Sequence, residues 1–192
     1  MLKTLLPVLV VLAVCGSAFA ADPVPAKNEQ GLTATLINNK ETYTLDAGQS
    51  GKEFRDQVAN LKPPGAKFPG PPTVDFVLRI TNSSDKDVTL NIGGDSSRLE
   101  LTLTGEGALT VNGSMMMDRM YRQGTPTTIA AGKTYDLKIT ALSFGVRGES
   151  KYAYFTEAGE YTLAASLVYN TGTTQLTVAA EPIKVKVEAA KP

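Results

Sequence analysis

Histidine and tryptophan are both absent from the 192 residues, and cysteine occurs once, as Cys15. The missing histidine removes the usual general base near neutral pH, the Ser-His-acid and Cys-His nucleophilic arrangements, and the common imidazole sites for zinc and copper. A single cysteine excludes an intrachain disulfide, so the fold must rest on its hydrophobic core. Charge of one sign is lacking too. The 19 basic and 19 acidic residues are interspersed, with neither a basic block nor an acidic tail. No concentrated footprint is offered to a nucleic acid or to an anionic lipid surface. Paired carboxylates are the enzymatic route left, and a linear sequence does not show which of them approach one another. The chain therefore reads as a non-enzyme with no cofactor and no nucleic-acid partner.

One long apolar run is present, from Leu5 to Val14, after Lys3 and before Ala18-Phe19-Ala20. A positive start, a short hydrophobic stretch and an A-x-A site are the parts of a secretory signal, in order. The run is shorter than the roughly 17 to 25 apolar residues of a membrane span. Residues 1–20 are expected to be cleaved, leaving a periplasmic or extracellular protein from Ala21 with no membrane insertion. Its charge balance would be 18 basic against 19 acidic, since only Lys3 is lost. The alternative is a lipid anchor on Cys15, disfavoured by the bulky Val14 just before it.

Residues 21–72 read as an N-terminal extension. Thr33–Ile37 and Glu41–Leu45 are β-prone runs around Asn38-Asn39-Lys40, a plausible hairpin. Ser50 with Glu53 three residues on forms a capping-box pattern, and Phe54, Val58 and Leu61 mark one helical face up to Pro63-Pro64. The Pro/Gly-rich stretch that follows is a strap, so residues 73–188 are expected to fold without what precedes them. From Thr73 onward apolar residues alternate with polar ones in run after run, clearest at Val74–Ile80, Leu99–Leu103, Tyr135–Ile139, Tyr161–Tyr169 and Ile183–Val187. About eight strands in roughly 115 residues, with no helix between them, predict an all-β, immunoglobulin-like two-sheet sandwich.

Three runs carry a family resemblance: ITNSSDKDVTL (Ile80 to Leu90), TIAAGKTYDL (Thr128 to Leu137) and EAGEYTL (Glu157 to Leu163). Together they resemble secreted bacterial immunoglobulin-like β-sandwich proteins of unassigned role, and less closely the sandwich domain of bacillar intracellular proteinase inhibitors. The resemblance implies a sandwich fold and a non-catalytic role. Export, the lack of tryptophan and the long N-terminal extension depart from the inhibitors. In such domains a tyrosine near the start of a late strand caps the corner between sheets, and Tyr161 stands in that place.

Four features were candidates for a site. Met115, Met116, Met117 and Met120 offer soft thioethers to copper, or an adaptable contact surface, or an ordinary loop. Arg147 with Tyr152 and Tyr154 reads either as a recognition surface or as a crossover whose aromatics fill the core edge. The acidic and hydroxyl residues of 82–87 and 93–97 match no calcium loop and read as side-chain caps on turns. Asn82-Ser83-Ser84 and Asn112-Gly113-Ser114 fit the N-glycosylation pattern. The function these features favour is an exported binding or structural domain that contacts another exported protein or a surface polymer. Proteinase inhibition and methionine-based copper binding are the alternatives.

Overall fold

A computed structural model describes residues 27–62, 67–113, 121–145, 149–171 and 174–190. The expected signal segment and the lipid site at Cys15 lie outside them. The described residues are mostly β-strand, with one short helix. In chain order the strands are β1 (Leu32–Asn38), β2 (Thr42–Thr44), β3 (Thr73–Asn82), β4 (Val88–Ile92), β5 (Ser97–Thr104), β6 (Ala108–Asn112), β7 (Thr125–Ile129), β8 (Thr134–Ala141), β9 (Ser143–Phe144), β10 (Lys151–Phe155), β11 (Gly159–Thr171), β12 (Thr174–Ala179) and β13 (Ile183–Glu188). One α-helix, α1 (Gly51–Ala59), stands between β2 and β3.

Hydrogen bonding groups these strands into four sheets, in the orders β1-β3-β8, β6-β10-β9, β4-β7 and β12-β11-β13-β2, with β5 joined to β11. Alternation explains the two main sheets. Val74, Phe76, Leu78 and Ile80 of β3 are buried, while Thr73, Asp75 and Arg79 face out. Tyr161, Leu163, Ala165 and Leu167 of β11 are buried likewise. These faces meet in one large core that also takes Leu32, Leu36, Leu101, Val178 and Val185. Each fully buried leucine or valine contributes about 1.5 to 3 kcal/mol relative to exposure.

The N-terminal region departs from the expectation. β1 and β2 do not form a hairpin with each other. β1 pairs antiparallel with β3, Leu36 opposite Leu78, whereas β2 pairs parallel with β13 at the other end of the chain. Leu32, Ala34, Leu36 and Tyr43 are core residues. The Tyr43 ring lies 5.4 Å from that of Phe76, and its hydroxyl donates to Asn38 Oδ1 at 2.9 Å. Asn28 donates to the Tyr169 hydroxyl, which donates to Gln30. Thr73 is thus the first residue of a strand that pairs with β1 on one side and with β8 on the other.

The helix begins where the sequence places it, with Ser50 as the N-cap residue, but no capping bond forms. The Ser50 hydroxyl donates to Ala47 O instead. The helix stops at Ala59, because the Asn60 side chain donates back to Asp56 O at 2.8 Å, ahead of the prolines. The 82–87 turn is built from caps, as expected. Asn82 is fully buried, and its amide donates to Lys86 O and Ile129 O at 2.7 and 2.8 Å, joining the β3-β8 ladder to β4-β7. With both amide hydrogens engaged inside the fold, Asn82 offers no nitrogen for a glycan.

Candidate functional site

Three turn segments meet at one end of the fold, built around residues that leave little steric choice. Between β4 and β5, Gly94 has a positive φ of 59°, and a Cβ there would stand 2.3 Å from Arg122 O. That close approach lets Asp95 and Arg122 bond reciprocally. Asp95 N donates to Arg122 O at 2.8 Å, and Arg122 N donates to Asp95 Oδ2 at 2.8 Å. Ser96, 5% exposed, accepts from Gly124 N at 2.9 Å. Its hydroxyl also lies 3.0 Å from that of Tyr121, a residue 69% exposed. The third segment is tied in from β9 and β10. Gly145 N donates to Leu99 O and Gly113 N donates to Ser150 O, at 3.0 and 2.7 Å.

A shallow depression of about 390 Å³ opens where these turns converge, with Asp95, Arg122, Phe144 and Ser150 in its wall. Beside it a second one of about 250 Å³ is lined by Arg98, Glu100, Glu149 and Lys151. Arg98 pairs with Glu100 at 2.7 Å, and its buried Nε has no hydrogen-bond partner. The smaller depression has a mostly polar wall and the larger a mixed one, and each carries charges of both signs. Among the described residues no group of three or more His, Cys, Asp or Glu side chains gathers as metal ligands do.

The candidates from the sequence fare differently. Met115, Met116, Met117, Met120 and Arg147 lie outside the described residues, although their flanking neighbours Gly113, Tyr121, Gly145 and Glu149 stand at this same end. Tyr154 is buried and so offers nothing to a contact surface, and Tyr152 is half-buried. They share one face of β10, and α1 covers it. Tyr154 is fully buried, its ring edge-on to Phe54 at 5.3 Å and its hydroxyl donating to Pro69 O at 2.7 Å. Burial, and then the charge of Tyr152 nearby, push the Tyr154 phenol up to about 12. Tyr152 is half-buried against Phe68 at 6.3 Å. The aromatics fill a second, smaller cluster under the helix. The residues that form the surface, Asp95, Tyr121 and Arg122, with Ser96 buried beneath them, had only the glycine-rich turn and an isolated tyrosine as sequence signals.

Tyr161 behaves as its position predicts. It is 1% exposed and donates to Glu157 O, four residues back, at 2.6 Å. Gly107 packs on it so closely that a Cβ would lie 2.9 Å from the hydroxyl. No family model matches the chain, and no curated protein matches it either.

Proposed function

We propose that the chain is an exported, immunoglobulin-like sandwich that performs no catalysis and binds another exported protein or a surface polymer through the end bearing Tyr121. The fold reading is supported by strand order. β1-β3-β8 corresponds to strands A, B and E of one immunoglobulin sheet, and β5, β11 and the β12–β13 pair to C, F and G of the other. Tyr161 then stands at the start of the F-like strand, where the corner tyrosine belongs, and bonds back to Glu157 O. The β4-β7 ladder and the β6-β10-β9 sheet are additions to that plan. Export follows from the signal-like N-terminus.

The observation that carries the binding reading is Tyr121. It is the large hydrophobic residue left exposed among the described residues, and its hydroxyl is held by buried Ser96. An aromatic ring fixed in place presents apolar area at a low entropic cost on binding. Arg122 beside it is the other residue type favoured at contact hot spots.

The test is retention of the purified protein on envelope polymer and on immobilised exported proteins from the same cell. Tyr121→Ala and Arg122→Ala should weaken retention about 10-fold or more, as removal of a hot-spot side chain does. Lys40→Ala, in the turn between β1 and β2, should not. Equal retention of all three variants and the parent would overturn the assignment of the surface.

A further inference from the structure

β8 closes the β1-β3-β8 order, and among the described residues no strand pairs with its second edge. Its inner face reflects this. Ile139 is buried, but Tyr135 and Leu137 are only half-buried although they pack against the core, whereas Phe76, Leu78 and Ile80 of the neighbouring β3 are fully covered. The outer face carries Thr134, Asp136, Lys138 and Thr140, all exposed.

We infer that β8 pairs antiparallel with β8 of a second copy of this chain, with Leu137 opposite the partner's Leu137 on a two-fold axis. Continuous sheet formation keeps the two inner faces on the same side, so the paired positions must share parity. That leaves a short choice of registers. Centring on Asp136 opposes two aspartates, and centring on Lys138 opposes two lysines, both unfavourable across a strand pair. Centring on Leu137 sets Asp136 against the partner's Lys138, twice by symmetry. On the inner face it sets Tyr135 against the partner's Ile139, and at the ends Thr134 against the partner's Thr140. Asp136 already accepts both bonds of the Arg79 guanidinium, at 2.7 and 2.8 Å. The outer face would therefore run Arg79, Asp136, the partner's Lys138, with alternating charge. The apolar row Leu78–Leu137 would continue unbroken into the second copy. A lysine on an exposed edge ordinarily discourages strand addition. Here Asp136, two residues before Lys138, gives that lysine a matching charge in one self-paired register, and a second copy is the partner that supplies it.

Sedimentation equilibrium of the protein as the cell exports it, at concentrations up to about 100 µM, reads this association directly. A mass of twice the chain is expected. Asp136→Lys and Lys138→Asp each turn two attractive cross-strand pairs into repulsive ones, and each should weaken self-association about 10-fold or more. An equimolar mixture of the two variants restores opposite charges at both positions and should recover the dimer. Circular dichroism of each variant shows that it remains folded. A monomeric parent, a dimer indifferent to both changes, or a mixture that stays monomeric would each overturn the proposal.

Discussion

Tyr161 and Tyr154 meet the same physical problem at different range. Each buries its ring completely and must give its hydroxyl a backbone acceptor. Tyr161 finds Glu157 O within its own turn, at 2.6 Å, while Tyr154 reaches Pro69 O, 85 residues away, at 2.7 Å. The first contact forms as soon as the turn does and locks the start of β11 against the core. The second exists only after α1 and the strap have closed over β10. The Arg55–Glu157 ion pair links the two places, since it runs from the helix to the residue that receives the Tyr161 hydroxyl. The local contact belongs to one turn of the main core, and the distant one ties the segment before β3 to β10.

The strongest way to break this distinction is to remove that third. A chain beginning at Thr73 loses Leu32, Ala34, Leu36 and Tyr43 from the core, along with both partners of the Tyr169 hydroxyl. It also exposes the outer edge of β3. Burial of those side chains alone is worth several times about 1.5 kcal/mol, comparable to the whole stability of an ordinary domain. The shortened chain should be unfolded by circular dichroism and rapidly cleaved by protease. A cooperative unfolding transition would show that β1 and β2 are dispensable after all.

Next in size is Tyr161 itself. Tyr161→Ala opens a cavity in the main core and should cost about 3 to 5 kcal/mol, as large aromatic truncations do. Tyr161→Phe removes only the hydroxyl and should cost about 1 to 2 kcal/mol. Urea unfolding measures both.

Tyr154→Phe sharpens the comparison, because it cuts the long-range tie and leaves the ring in place. Its cost should be nearer 1 kcal/mol, about that of one net hydrogen bond, and the strap around Pro69 should become the first site of proteolysis. The alkaline limb separates the two further. Burial raises the Tyr154 phenol to about 12, against about 10 unfolded, so the neutral form is favoured in the native state. The stability this gives is complete below pH 10 and is lost as pH rises toward 12. Tyr154→Phe should unfold less steeply over that range than the parent. An identical slope would mean that burial does not favour the neutral phenol in the native state.

Range of contact also decides what could be read from the sequence. β3 and β11 were plain, because a half-buried strand writes its period into its own residues, and Tyr161 was plain because its partner lies four residues away. The start of α1 was readable for the same reason. β1 and β2 were not. Asn38-Asn39-Lys40 has the composition of a hairpin turn, yet the chain uses it to pass from one sheet to another, and a parallel partner at Lys186–Glu188 leaves no local mark. Tyr152 and Tyr154 showed a shared face without saying that Phe54 and Val58 would cover it. The surface at Tyr121 was hidden similarly, since Asp95 and Arg122 are 27 positions apart and meet only through the close approach at Gly94.

Tyr121 supplies the smallest expected effect on stability and the most informative one. It has a hydroxyl anchored to a buried serine, as Tyr154 has one anchored to the strap at Pro69, but Tyr121 itself is largely exposed. Tyr121→Ala leaves Ser96 still accepting from Gly124 N, so no buried polar atom loses its last partner. The cost in urea unfolding should stay under about 1 kcal/mol, within the range of surface changes. The same change should weaken retention on the envelope fraction or exported partner, because the exposed ring is what that surface presents. A large loss of stability would mean that Tyr121 closes the turn cluster and serves the fold, as Tyr154 does. A small loss with unchanged retention would leave the ring exposed without a use. Only a small loss of stability joined to a clear loss of binding separates a residue kept for contact from the tyrosines kept for the core.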